Sequence, residues 1–200
     1  MSGWGLKFFD YDNDGDLDLM IANGHPDDLI EKIRPNVGFR EPLMLFRNTA
    51  GGLKNVSNES GPVFTRPLSS RGLAIGDFDN DGGIDVLISV NNDAPVLLHN
   101  NVATQNHWLG IKLVGKRCNP AAVGAVVTYQ SGDLKRTRMK VGGGSYLSSH
   151  DPRLVLGIGR RNKIDWLEIK WPRPSVAVER FTDLPIDRYV TITEGEAKWK

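Results

Sequence analysis

Two hundred residues, 40% of them hydrophobic, suffice for one medium domain or two small ones with cores of their own, which excludes a disordered chain. One cysteine, Cys118, excludes an intramolecular disulfide framework and a Cys-rich zinc site. The formal net charge of +1 excludes a whole-chain field that steers polyanions, yet it hides an asymmetry: residues 1–100 carry 8 basic and 15 acidic side chains, residues 101–200 carry 17 and 9.

In chain order, short apolar segments at 6–9 and 17–22 flank an Asp-rich loop and read as strand, loop, strand. A short helix is expected over 27–33, with an acidic start and Pro35 to stop it. Segments 73–75 and 84–90 repeat the first arrangement around a second Asp-rich loop. Residues 104–106 read as a linker. Beyond it, alternating segments at 107–114, 122–129, 134–141, 154–158, 164–171 and 189–193 predict a second all-β unit of about six strands. Glycine and proline make up about one residue in six, a usage that favours turn-rich β structure. No run approaches about 18 apolar residues, and the amino terminus lacks a basic stretch followed by an apolar one. The expectation is a chain with neither a transmembrane segment nor a signal peptide.

The internal repeat is exact in spacing. Residues 4–24, WGLKFFDYDNDGDLDLMIANG, align without a gap on residues 71–91, RGLAIGDFDNDGGIDVLISVN. Asp10, Asp12, Asp14, Gly15 and Asp18 fall on Asp77, Asp79, Asp81, Gly82 and Asp85, an offset of 67. Further on, Leu45, Phe46, Arg47 and Asn48 resemble Leu97, Leu98, His99 and Asn100 at an offset of 52, so the first unit carries about 15 extra residues near 26–41. In D-x-D-x-D-G-x-x-D, oxygens recur at positions 1, 3, 5 and 9, and glycine at 6 permits a sharp turn. Ca²⁺ takes six to eight hard oxygens at about 2.3–2.6 Å, and four carboxylates gathered without a cation would repel. Position 7 is Asp16 in one loop and Gly83 in the other, which fits a backbone carbonyl ligand. An EF-hand is excluded, because its position 12 would be Glu and is here Ile21 and Ile88.

These units resemble the FG-GAP or VCBS repeats that form blades of calcium-binding β-propellers, including those of integrin α chains. That resemblance implies about two Ca²⁺ ions, held by Asp10, Asp12, Asp14, Asp18 and the carbonyl of Asp16, and by Asp77, Asp79, Asp81, Asp85 and the carbonyl of Gly83. The second unit resembles the ASPIC/UnbV domain, through Asn119 and Pro120, the VGAVVT of 123–128, the GGGSYLSS of 142–149, the LGIG of 156–159, and segments 164–172 and 191–195. Such domains follow VCBS repeats in cartilage acidic protein 1-like proteins and in proteins encoded beside enediyne biosynthesis genes. The expected architecture is all-β: a partial β-propeller of two blades at 1–103, the linker at 104–106, a β-sandwich-like domain at 107–195 and a tail at 196–200. Two blades cannot close a ring of four to eight, so earlier blades and an export signal are expected upstream. A secreted or periplasmic, non-catalytic binding or adhesion module with a protein or glycan ligand follows from the resemblance. The alternatives are an enzyme or enzyme accessory like those of enediyne clusters, and polyanion or carbohydrate binding through the basic second half.

Sharper readings compete with plainer ones. Ser148, Ser149, His150 and Asp151 suggest a nucleophile, but adjacent residues on a turn do not form a relay, and a hydrogen-bonded turn is expected. Gly142 to Gly144 lack the Lys-Ser/Thr of a nucleotide phosphate loop. Arg136, Arg138 and Lys140 share one strand face, and with Lys116, Arg117, Arg160, Arg161 and Lys163 they read as a solvated basic surface with no specific nucleic-acid motif. Cys118 is expected to be a passive thiol. The five tryptophans are expected mostly in strands, packed in the core.

Overall fold

A computed structural model describes residues 1–200, except for the side chain of Thr104. Fourteen strands form four sheets, none of them closed into a barrel. In the first blade, β1 (Gly3–Phe9), β2 (Asp18–Asn23), β3 (Met44–Thr49) and β4 (Gly52–Asn55) form an antiparallel meander. In the second, β5 (Ser70–Gly76), β6 (Asp85–Val90) and β7 (Val96–Leu98) form a three-stranded sheet. There the chain turns away through a 3-10 segment, Ala103–Gln105, before a fourth strand is made.

The two blades meet along β1 and β5. A Cβ added at Gly5 would lie 2.6 Å from the Leu73 Cβ, so glycine there is what lets the two backbones approach. Alternation directs Met20, Ala22, Leu45, Leu73, Val86 and Ile88 into a shared core between the blades, closed by Val56, Phe64 and Leu68 from the connecting segment. The expected helix shrinks to a single turn, α1 (Ile30–Ile33), because only Ile30 is buried and there is no apolar stripe to hold more.

The second half is a two-layer arrangement. One sheet has the order β10 (Leu134–Met139), β9 (Val126–Ser131), β12 (Trp166–Lys170), β13 (Val178–Phe181). The other has the order β11 (Leu154–Gly159), β8 (His107–Val114), β14 (Tyr189–Thr193), with β14 parallel to β8. Val127, Tyr129, Leu167 and Ile169 from the first sheet and Leu109, Ile111, Leu156, Val190 and Ile192 from the second bury their faces in one core with Trp171. Period-2 alternation made six of these strands visible. β13 escapes it, since only Phe181 of its four residues is buried. The strand expected from 122 begins at Val126, because Ala122 (φ 51°) and Gly124 (φ 94°) are turn residues.

Glu194 ties the ends of this unit together. Its buried Oε2 accepts hydrogen bonds from the backbone N–H groups of Lys116 and Arg117 (both 2.8 Å) and Cys118 (3.0 Å). Burial alone would raise its pKa, but the nearby Ser175 hydroxyl and these backbone N–H bonds outweigh it and hold the carboxyl well below the usual range.

Candidate metal centres

The two nonapeptides fold into loops with matching backbone turns and hydrogen bonds, joining β1 to β2 and β5 to β6. Asn13 and Asn80 (φ 57° and 64°) and Gly15 and Gly82 (φ 93° and 90°) adopt the left-handed conformation at matching positions. The N–H of Gly15 donates to Asp10 Oδ2 at 2.9 Å, and that of Gly82 to Asp77 Oδ2 at 2.9 Å. Position 9 is fixed alike in both: Asp18 accepts from the N–H groups of Tyr11 (3.2 Å) and Asn48 (2.7 Å), Asp85 from those of Phe78 (3.1 Å) and Asn100 (2.8 Å). The Asn48 and Asn100 side chains then donate to Leu17 O and Ile84 O, each at 3.2 Å. These asparagines lie in the repeat at offset 52, but their role is tertiary: Asn48 closes its loop from β3, and Asn100 closes its own from just after β7.

The acid clusters follow from this wrapping. Carboxylate oxygens of Asp10, Asp12 and Asp18, all buried, lie within 4.8 Å of one another, and so do those of Asp77, Asp79 and Asp85. Burial pushes Asp10 well above the ordinary carboxylate range, raises Asp12 with help from Asp14, and brings Asp18 up to about 7. Asp85 is raised by burial too. Asp10 Oδ1 is buried without a hydrogen-bond partner among the described residues. An orphaned carboxylate oxygen inside a cluster of hard oxygens fits a bound divalent cation such as Ca²⁺, whose charge would offset their mutual repulsion.

Not every acid is drawn inward. Asp14 Oδ1 accepts from the Asp16 N–H (2.8 Å), as Asp81 does from Gly83 (2.7 Å). The side chain of Asp16 pairs instead with Arg136 at 2.8 Å. At the same place over each loop stands a basic residue from the third strand or just after it: Arg47, 2.7 Å from Asp12 and 3.6 Å from Asp14, and His99, 3.0 Å from Asp79.

The second half of the chain grips both loops. Arg136 and Arg138 donate to Gly15 O at 3.0 and 2.8 Å, and the Gly159 N–H donates to Asn13 O at 2.8 Å. Asn106, in the segment expected to be a linker, donates to Asp12 O at 2.7 Å. On the second loop the Tyr189 hydroxyl donates to Asp77 Oδ2 at 2.6 Å, and Arg153 donates to Asp77 O (2.6 Å) and to Asn80 Oδ1. Asn13 reaches from the first loop to Gly82 O of the second at 3.0 Å. The loops and the C-terminal unit thus form one contiguous polar network.

This geometry revises the basic surface read from sequence. Arg136 and Arg138 are spent on the first loop and Lys140 is buried; Lys116, Arg117, Arg161 and Lys163 pair with Glu196, Glu194, Asp133 and Asp165. The Ser-His-Asp run is likewise divided: Ser148 donates to Tyr146 O, His150 accepts from the Ile75 N–H, and Asp151 binds Arg153. Cys118 is buried, and burial raises its thiol pKa. Trp108 and Trp171 are core residues, whereas Trp4 and Trp166 are half-buried under Arg71 and Arg180. A groove of about 840 Å³ between the blades is lined by apolar residues such as Phe9, Met20, Leu45 and Phe64, with Arg47, Lys54, Glu59 and His99 also among its walls. No helix is long and apolar enough to cross a membrane among the described residues.

Comparison with known proteins finds two families along the chain. Residues 10–88 match the FG-GAP-like repeat family, and residues 115–198 match the ASPIC and UnbV family. Cartilage acidic protein 1 of Mus musculus is 28% identical over 172 residues, and its Homo sapiens counterpart 27%. Each alignment covers 82% of this chain but 24% of the relative, so the chain spans about a quarter of the length of the curated proteins it matches.

Proposed function

We propose that this chain, which matches the FG-GAP-like repeat and the ASPIC and UnbV families in turn, is a calcium-binding, non-catalytic binding module of a longer secreted or periplasmic protein. Asp10, Asp12, Asp14, Asp18 and the Asp16 carbonyl would hold one ion, and Asp77, Asp79, Asp81, Asp85 and the Gly83 carbonyl a second. The observation that carries this reading is the convergence of the same three carboxylates in both loops, with one buried oxygen of Asp10 left unpartnered. The ion supplies rigidity: it fixes the loops that the C-terminal unit rests on, and the assembled face meets a protein or glycan. Affinities of about 10⁻⁴–10⁻³ M, usual for extracellular modules, suit an extracytoplasmic setting. The enzyme reading gains nothing from the Ser-His-Asp run, whose members each serve a different partner. The polyanion reading loses most of its basic residues to internal pairs.

Calorimetric titration of chelator-treated protein tests the assignment. Calcium should bind with a stoichiometry of about two, and Asp12→Asn and Asp79→Asn should each remove one site. A stoichiometry unaltered by both substitutions would overturn it.

A further inference from the structure

Where the segment before β11 crosses the blades, Lys7 and His150 meet beside Gly144, and the buried Lys140 lies close enough to act electrostatically on both. Lys7 comes from β1, Lys140 follows β10, and His150 precedes β11. Ser145, in the same crossing segment, accepts from the Leu6 N–H at 3.1 Å, which pins the segment beside β1. Gly144 (φ 127°) supplies the space: a Cβ there would lie 3.3 Å from Lys7 Nζ and 3.9 Å from His150 Nε2. The glycine run that lacks the other marks of a nucleotide phosphate loop therefore leaves room next to two donors.

None of the three is balanced within the chain. Lys140 is 5% exposed, yet neither it nor Lys7 forms an ion pair among the described residues. His150 Nδ1 accepts from the Ile75 N–H at 3.3 Å, so Nε2 carries the proton of the neutral ring; that atom is buried and has no partner among the described residues. Burial, then Lys7 and Lys140, push the imidazole down to about 4, and burial followed by Lys140 lowers Lys7. Asp151 is the carboxylate that acts on Lys140, but it is held by Arg153 at 2.6 and 2.9 Å, so that pair cancels. Two ammonium groups and one neutral N–H donor remain, a net +2 in a partly desolvated place. Cations so placed are costly without counter-charge.

We propose that this junction is a binding site for a tetrahedral dianion of the sulfate or phosphate class. Two positive charges match one such dianion. Donors arriving from three segments suit an anion with oxygens in several directions better than the single plane of a carboxylate. The site joins the first blade to the C-terminal unit, so the anion would bridge them at a point separate from the Asp loops.

Sulfate is the probe, titrated at constant ionic strength against chloride and acetate in the presence of calcium, and followed by calorimetry and by amide shifts of residues 142–150. One saturable site for sulfate is expected, at least tenfold weaker in Lys7→Met and in Lys140→Met, both of which keep the apolar stem. Ser149→Ala should bind like the parent. Methyl phosphate and a monosaccharide phosphate, both dianions, separate the sources: binding equal to sulfate identifies a pendant ester as an accepted ligand, and binding of the inorganic ion alone identifies the free anion. Absence of saturation, an equal response to chloride, or undiminished affinity in both folded lysine variants would overturn the proposal.

Discussion

Gly157→Ala should remove one calcium ion from the chain, although Gly157 belongs to the C-terminal unit and the ion to the first blade. A Cβ at this position would lie 2.3 Å from Asp10 Oδ2 and 2.6 Å from the Asn13 backbone. Asp10 cannot simply turn aside, because its Oδ2 accepts the Gly15 N–H that closes the loop. Nor can β11 retreat freely: Gly157 pairs with Trp108 on β8, and its carbonyl accepts the Tyr129 hydroxyl at 2.9 Å. Overpacking of this kind costs about 1–3 kcal/mol, and here the strain falls on the position-1 carboxylate. Calcium stoichiometry should drop from about two to one while far-UV circular dichroism is retained. Gly51→Ala, where the new atom would meet only the Thr49 hydroxyl at 3.8 Å, should still bind both. Full stoichiometry in Gly157→Ala would show that the C-terminal unit does not shape the loop.

Chelation of calcium should loosen both halves of the molecule. A ligand bound only by the folded state adds about 2.7 kcal/mol per site at a hundred times its dissociation constant. From sequence alone, with two units and a linker, that gain belongs almost wholly to residues 1–103. The structure spreads it, because Arg136, Arg138, Arg153 and Tyr189 all end on the loops. The N–H groups of Gly159 and Asp151 report the contact directly, since they donate to Asn13 O and Ile75 O across the interface. Hydrogen exchange at these amides should quicken by up to about a hundredfold on chelation, the factor that corresponds to the same ligand excess. Unchanged protection there, with the first blade loosened, would mean that the units respond to calcium independently.

What the sequence reveals and what it hides divide along a physical line. The Asp loops are legible because they are local: spacing alone brings the carboxylates of positions 1, 3 and 9 around one point, and the two copies fold alike. Alternation likewise exposes strands with a buried face, such as β8 and β14. It does not expose β4, whose four residues are all exposed, or the three-residue β7. Arg136 and Arg138 look like a solvated strand face, because nothing within ten residues indicates that they point at Gly15, more than a hundred positions away. Arg47 and His99 were visible as part of a repeat, yet their place over the carboxylates depends on how the third strand pairs. Lys7, Lys140 and His150 share no motif at all; only the fold brings them together.

If the two Asp loops, held from one side by the C-terminal unit, each bind a calcium ion, a crystal structure grown with calcium will show it in anomalous difference maps. One peak is expected among the oxygens of Asp10, Asp12, Asp14 and Asp18, one among those of Asp77, Asp79, Asp81 and Asp85, with Tyr189 still donating to Asp77. Peaks absent from both loops at saturating calcium, or confined to sites elsewhere on the chain, would contradict it.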